Sequence, residues 1–293
     1  MCRLFGFRAT HPTKIECGLI QAQNSLVRQS RRDARGLDNP DGWGLGLVLD
    51  GRVRCEHQVE PAYESEEFRR DASDAEATTA LAHVRRATVG EPRLENTHPF
   101  RRDGSMLAHN GHLPGFGQIR PRLLEAMAPD LRRALRGDTD SEHVFHLLLT
   151  RLRERAAGEG DDGRPRPAEM RSVLGETVRH LEARCDGLEA GGEGVERGPD
   201  GHRLDRLAMN LLWTVGSDLA GTRFGRTLWY VEREGARRCS VCGELHPDPE
   251  PEGYRAVVLA SERITDEDWR EVPEGSAFHV DGRTRLRVAP LHG

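Results

Sequence analysis

Met1-Cys2-Arg3-Leu4-Phe5-Gly6-Phe7-Arg8-Ala9-Thr10 alternates loosely, with Cys2, Leu4, Phe5, Phe7 and Ala9 apolar, and reads as a β-strand ending at Thr10-His11-Pro12. A strand here would hold residue 2 rigidly. Removal of Met1 would leave a thiol and a free α-amine on Cys2, a nucleophile carrying its own base. Thiols titrate near roughly 8.5 and α-amines near roughly 7.7 to 8.0 in simple peptides, so close to neutrality the amine can take the thiol's proton. A small residue after an initiator Met is equally at home in proteins without such chemistry. The weight of Cys2 therefore depends on the rest of the chain.

Outward from that strand, residues 15 to 31 have helical spacing, with Leu19, Ile20, Gln23, Leu26 and Val27 on one side. A turn-rich segment from Gly36 to Gly44 follows, then strand candidates at 45–49 and 53–58 joined by Asp50-Gly51, a hairpin signal. Short apolar runs at 81–84 and 105–108 each stop at polar clusters. Helical patterns cover 119–135, 141–157 and 168–185, and strands return at 208–215, 227–231, 256–260, 276–280 and 286–289. Strands, then helices, then strands again, without regular alternation, predict antiparallel sheets covered by helices.

Apolar residues make up 36% and charged residues 31% of the 293, the balance of a globular protein. No apolar run approaches the roughly 20 residues that a membrane helix needs. A basic stretch followed by an apolar segment is missing from the start, so no secretory signal and a cytoplasmic location are expected. The net charge is -5, and every basic residue but Lys14 is arginine, interspersed with Asp and Glu. Neither a nucleic-acid nor a membrane partner is expected from that mixture. The six cysteines, Cys2, Cys17, Cys55, Cys185, Cys239 and Cys242, read as free thiols, a reactive site or a metal site rather than a disulfide framework.

Four polar motifs lie beside the apolar runs, each with a bland reading and a chemical one. His83-Val84-Arg85-Arg86-Ala87-Thr88 ends a strand, where an arginine fork could hold a carboxylate by two parallel hydrogen bonds. Otherwise it is a surface arginine. Ala108-His109-Asn110-Gly111-His112 contains the Asn-Gly of a hairpin turn, yet the Asn110 amide and the Gly111 N-H could also converge as an oxyanion hole. Thr139-Asp140-Ser141-Glu142 caps a helix, and its two carboxylates could also receive an ammonium. Asn39-Pro40-Asp41-Gly42-Trp43-Gly44 is a tight turn into a strand, with Trp43 either a pocket wall or core.

In order along the chain stand Cys2, Gln29-Ser30, Asp41-Gly42-Trp43-Gly44, His83-x-Arg85-x-Ala87-Thr88, Asn96-Thr97-His98-Pro99-Phe100, His109-Asn110-Gly111 and Thr139-Asp140-Ser141-Glu142. This set resembles the class II glutamine amidotransferases, which are N-terminal nucleophile hydrolases. It is most similar to their stand-alone members, including the γ-glutamyl hydrolase of ergothioneine biosynthesis. The resemblance is dense over residues 2 to 150 and resumes from Asn210 to about Val280, through Ala220-Gly221-Thr222-Arg223 and Ala260-Ser261-Glu262.

The resemblance implies that Cys2 is the nucleophile and its amine the base, with Asn110 and Gly111 as the oxyanion hole. It makes Arg85 the clamp on a glutamyl α-carboxylate and Asp140 the partner of its α-ammonium, with Trp43, Gly42, Thr88 and His98 completing the substrate-binding set. Arg86 takes a place where synthetase-fused relatives often carry Trp. The implied fold is α+β, a four-layer αββα sandwich formed by one domain over 2–293, with polar, partly disordered insertions near 158–167 and 186–203. The implied reaction is hydrolysis of glutamine or a γ-glutamyl amide through a Cys2 thioester, with no cofactor required. Ammonia would pass to an accepting synthetase partner. Two alternatives stand beside it, a γ-glutamyl conjugate hydrolase of the ergothioneine type and a non-catalytic metal- or partner-binding protein on the same fold.

Cys239-Ser240-Val241-Cys242-Gly243, with His246 shortly beyond, looks like half of a zinc knuckle. Only three of the four ligands of a structural zinc are local, and the sequence nominates no fourth. His143 and His146 share a predicted helix face, where such a pair usually packs in the core or lines a surface.

Overall fold

A computed structural model describes residues 2–156, 166–185, 205–248 and 251–292. The expected insertions at 158–165 and 186–203 lie outside the described residues, whereas Pro167 starts a helix rather than ending a loop. The strands are β1 (Arg3–Lys14), β2 (Trp43–Leu49), β3 (Arg52–Gln58), β4 (Glu76–Val84), β5 (Phe100–Arg102), β6 (Ser105–His112), β7 (Ala208–Val215) and β8 (Asp218–Arg223). They continue with β9 (Trp229–Glu234), β10 (Arg237–Arg238), β11 (Leu245–His246), β12 (Arg255–Ala260), β13 (Arg270–Glu271), β14 (Ser276–Val280) and β15 (Leu286–Pro290). The helices are α1 (Leu26–Arg31), α2 (Glu66–Ser73), α3 (Phe116–Glu125), α4 (Pro129–Arg133), α5 (Asp140–Ala156) and α6 (Pro167–Cys185).

β1 is the middle strand of a seven-stranded sheet ordered β13-β9-β12-β1-β4-β2-β3, and it pairs antiparallel with both β4 and β12. A second sheet of six strands runs β15-β14-β8-β7-β6-β5. Period-two alternation along β1 then decides the layering, since successive side chains point to opposite faces. Phe5, Phe7 and Ala9 pack outward against Leu19, Leu26, Val27, Phe68 and Ala72 of the overlying helical layer. Leu4 packs inward with Met106, Ala108, Leu212, Leu259 and Phe278, between the sheets. On the far side Leu107, Leu211 and Trp213 meet α5 and α6 through Val144, Leu148, Val173 and Leu174. Each such burial contributes roughly 1.5 to 3 kcal/mol, so the two sheets and two helical layers are held by three apolar interfaces.

Several elements depart from the local patterns. β1 does not stop at Pro12 but continues to Lys14 through a shift in its pairing with β4 between Arg8 and Thr13. The helical pattern over 15–31 is divided into a π-helix at Cys17–Gln21 and α1, because the Asn24 N-H leaves the helix to donate to Ile264 O at 3.0 Å. The 119–135 pattern is likewise divided into α3 and α4, with Pro129 starting the second. Among the described residues no helix is long and apolar enough to cross a membrane.

Candidate active site

Cys2 immediately precedes β1 and shares the strand parity of Leu4, so its side chain belongs to the face between the sheets. Its half-buried Sγ accepts the Arg86 N-H at 3.4 Å and lies 3.4 Å from Arg86 O, at the end of the neighbouring β4. The main chain of residue 2 is fixed by Arg3. That guanidinium, almost fully buried, donates to Cys2 O at 3.1 Å, to Glu262 Oε1 at 2.7 Å and to Asp33 Oδ2 at 2.6 Å. A buried arginine between two carboxylates is stable only when its donors are matched, and here they are. Breaking it would leave a buried charge unpaired.

Asn110 and Gly111 are not a hairpin turn, because β6 runs through both of them to His112 and pairs with β7. Asn110 shares the parity of Met106 and Ala108 and so faces the intersheet space, as Cys2 does. A Cβ on Gly111 would lie 1.9 Å from Ala208 O, which only glycine tolerates. The link between Asn110 and the first strand is Ser261, at the end of β12. Its Oγ accepts the Leu4 N-H at 2.9 Å and the Asn110 Nδ2-H at 3.4 Å, while its own N-H donates to Leu4 O at 3.1 Å. One buried hydroxyl thus ties the amide of one sheet to the strand of the other.

Arg85 is buried, and its fork donates to Glu91 O at 3.2 Å and to Val89 O and Gly90 O at 3.0 Å each. Its backbone exchanges hydrogen bonds with the turn before β2, from Arg85 N to Gly42 O at 2.8 Å and from Asp41 N to Arg85 O at 3.0 Å. Asp41 Oδ2 accepts the Ala87 N-H at 2.7 Å, so the turn and the strand end fix one another. Gly42 sits at φ +127°, where a Cβ would meet Gln58 O at 2.8 Å. Gln29-Ser30 on α1 hold the same turn, since Asn39 Nδ2 donates to Gln29 O and Asn39 N to Ser30 O.

Asp140 opens α5 and is buried, accepting the Leu113 N-H and the Ser141 N-H at 2.7 Å each. It therefore reaches back to the segment that follows Asn110 and Gly111. Thr139 caps the helix by accepting the Glu142 N-H at 3.3 Å, the expected capping role. Asn96 joins the two clamp segments, with Nδ2 donating to Glu91 O at 2.9 Å and to Asp138 Oδ1 at 2.7 Å. Arg85 and Asp140 are thus supported by a single hydrogen-bonded frame.

Two residues expected in the substrate-binding set, Trp43 and His98, are buried. The Trp43 indole is fully buried in the outer core, edge-on to Phe68 with ring centroids 5.1 Å apart, because the parity of β2 turns it toward the helical layer. It is a core residue, not a pocket wall. His98 is buried too, packed on His83 with ring centroids 4.3 Å apart at a tilt of 44°. Burial, reinforced by the Arg85 and His109 charges, pushes His83 down to about 3. Burial and then His83 hold His98 well below the ordinary range as well. Thr88 is exposed just beyond β4. The Arg86 side chain pairs with Asp38 Oδ1 at 2.6 Å, while its backbone N-H and carbonyl meet the thiol. Sequence patterns did not single out Arg3 or the role of Ser261. The one available signal was the Ala260-Ser261-Glu262 tripeptide after a strand.

Two antiparallel sheets stacked between helical layers, with residue 2 at the start of the central strand of one, are the sandwich of the N-terminal nucleophile hydrolases. Within that fold, the chain belongs to the class-II glutamine amidotransferases, whose family model matches residues 1–186. It is 26% identical to a probable glutamine amidotransferase, DUG3, of Saccharomyces cerevisiae, over 98% of this chain and 83% of that protein. A putative glutamine amidotransferase of Escherichia coli, YafJ, is 32% identical over 53% of this chain and 56% of its own length. The solved structure of a glutamine aminotransferase class-II domain protein from Silicibacter pomeroyi superposes with a TM-score of 0.60 at 17% identity, covering 98% of both chains. That likeness carries the fold.

Proposed function

We propose that this chain hydrolyses a γ-glutamyl amide through a thioester on Cys2, with Met1 removed. The observation that carries the reading is that Cys2 and Asn110 share the face between the sheets by strand parity, with Ser261 tying the Asn110 amide to Leu4 beside Cys2. In the first step the α-amine of Cys2 takes the thiol proton and sulfur attacks the δ-carbonyl carbon. The carbonyl oxygen becomes an oxyanion held by Asn110 Nδ2-H and Gly111 N-H, donors each worth roughly 3 kcal/mol in such a site. The carbon–nitrogen bond then breaks, and the Cys2 ammonium returns its proton to the departing amine. Water hydrolyses the thioester to release glutamate and restore Cys2. Arg85 and Asp140 would hold the α-carboxylate and α-ammonium, as their burial and shared frame support.

Glutamine is the simplest member of this substrate class, with its ammonia passed to a separate acceptor. A γ-glutamyl conjugate of the ergothioneine-precursor type is the other substrate to compare. N-terminal sequencing with intact mass, followed by labelling with a glutamine-analogue chloroketone, tests the reading. Modification at residue 2 with loss of glutaminase activity is expected. Active protein that retains Met1, or a Cys2→Ala variant with undiminished turnover, would falsify it.

A further inference from the structure

On the helical side of the first sheet, four soft ligands come together. Cys17 at the start of the π-helix meets Cys239, Cys242 and His246 of the β10–β11 hairpin, and their ligand atoms all lie within 4.8 Å of one another. Cys17 Sγ is 3.4 Å from Cys242 Sγ and 3.7 Å from Cys239 Sγ. His246 Nε2 is 3.0 Å from Cys242 Sγ and 3.7 Å from Cys17 Sγ. A tetrahedral zinc, with Zn–S of about 2.3 Å and Zn–N of about 2.0 to 2.1 Å, separates its ligand atoms by roughly 3.5 to 3.8 Å. The two Cys17 thiol–thiol separations and the Cys17–His246 separation, 3.4 to 3.7 Å, lie close to that shell, and the Cys242–His246 separation of 3.0 Å is shorter.

Two further features belong to a metal site rather than a chance meeting of thiols. The Val241 N-H donates to Cys239 Sγ at 3.4 Å, the outer hydrogen bond by which a Cys-x-x-Cys turn stabilises a bound thiolate. Gly243, at φ +76°, donates its N-H to Cys239 O at 2.9 Å, which closes the turn and brings Cys242 back toward Cys239. The hairpin carrying these residues pairs over only two positions, Arg237 with His246 and Arg238 with Leu245. So short a ladder holds little by itself. Its attachment to the π-helix runs through the cluster, alongside a cavity of about 290 Å³ lined by Phe5, Ile15, Trp269 and Glu267.

We propose that Cys17, Cys239, Cys242 and His246 bind one zinc ion, closed to substrate, that fastens the β10–β11 hairpin to the helix following β1. Three thiolates and a neutral imidazole fill a tetrahedral shell and leave no open position, which makes the ion structural and not catalytic. The site stands independently of the proposed hydrolysis, since none of its ligands touches Cys2, Asn110, Arg85 or Asp140.

Metal analysis of the full chain, purified under reducing conditions without chelator, is expected to give about one zinc per chain. Replacement by cobalt should produce intense tetrahedral d–d bands and thiolate-to-cobalt charge transfer. Cys17→Ser should weaken cobalt binding by at least about 100-fold, more than loss of an outer hydrogen bond does. Cys55→Ser and Cys185→Ser should leave metal content unchanged. Absence of metal with failure to take up cobalt, a mass lower by two hydrogens that reports a disulfide among these thiols, or Cys17→Ser binding cobalt like the unaltered chain would each overturn the proposal. Metal content and cobalt spectrum of the unaltered chain decide the matter even where a ligand variant fails to fold.

Discussion

Ser261→Ala removes a single hydroxyl and should separate stability from catalysis in a measurable way. The Ser261 Oγ is buried and accepts from Leu4 N at 2.9 Å and from Asn110 Nδ2 at 3.4 Å. Without it the Leu4 N-H stays buried with no acceptor, which costs about 1 to 3 kcal/mol of stability. The backbone bonds of Ser261, from its N-H to Leu4 O and from Thr227 Oγ1 to its carbonyl, survive the change. The strand end should therefore stay in place. What is lost is the restraint on the Asn110 amide. If an aimed oxyanion donor contributes roughly 3 kcal/mol, forfeiting part of its aim should cost about 1.4 kcal/mol, a tenfold fall in kcat.

Urea unfolding gives the first quantity and steady-state glutaminase kinetics the second. KM should change by less than about twofold, because an interaction made only in the transition state lowers kcat and leaves ground-state binding alone. Leu152→Ala supplies the control, since Leu152 lies in the far core cluster and its truncation costs a comparable or larger 2 to 5 kcal/mol. A kcat for Ser261→Ala within twofold of the unaltered chain would refute the positioning role. So would an equal loss of kcat in Leu152→Ala, which would trace the effect to destabilisation.

Trp43→Phe tests the reassignment of that indole to the core: stability should fall by about 1 to 3 kcal/mol with KM for glutamine unchanged, whereas a tenfold rise in KM at constant stability would return the ring to the pocket. Acid should destabilise the protein through the His83–His98 pair. Each ring binds a proton in the unfolded chain near pH 6.5 but resists it when folded, so stability is complete above that pH and falls as the pH drops toward the folded values. Each contributes a slope of up to about 1.4 kcal/mol per pH unit, and His83 alone on the order of 5 kcal/mol in total. Denaturant titrations between pH 7.5 and 5 check this, and an identical slope in His83→Gln would remove His83 as its source.

The parts of the site legible in the sequence were those whose chemistry and geometry are local. Cys2 ahead of a strand, Arg85 at the end of another, and Asp140 at a helix start are each set by a few neighbouring residues. Periodicity placed these residues at element ends, because a strand or helix end fixes where the next polar side chain points, while their expected roles came from the family resemblance. It failed where local and tertiary preferences compete. Asn110-Gly111 has turn chemistry, but eight residues of pairing with β7 carry β6 straight through it. Trp43 follows a pocket-like turn, but its parity on β2 sends the indole to Phe68.

Nothing local could reveal the supports that cross the chain. Ser261 acts on Leu4 across 257 residues, Glu262 on Arg3 across 259, and Cys239 on Cys17 across 222. All three act on β1 or on the helix next to it. This concentration follows from topology: β12 pairs with β1, so the end of β12 must deliver Ser261 and Glu262 beside residues 3 and 4, while the β10–β11 hairpin lies between β9 and β12 in the chain and meets the turn leaving β1. If Cys2 becomes the first residue, as the proposed mechanism requires, it has covalent restraint on one side only. The fold restrains this end of β1 with the neighbouring Arg3 guanidinium on Cys2 O, and with the Ser261 hydroxyl on Leu4 N and two backbone atoms of Arg86 on the thiol, the last two supplied from the ends of β12 and β4, which are in place only once the sheet has formed. By this reasoning, residues after 205 are part of the candidate site's geometry although the family match ends at 186, and a fragment lacking them would keep Cys2, Asn110 and Gly111 without the Ser261 and Glu262 contacts that hold this end of β1 and the Asn110 amide.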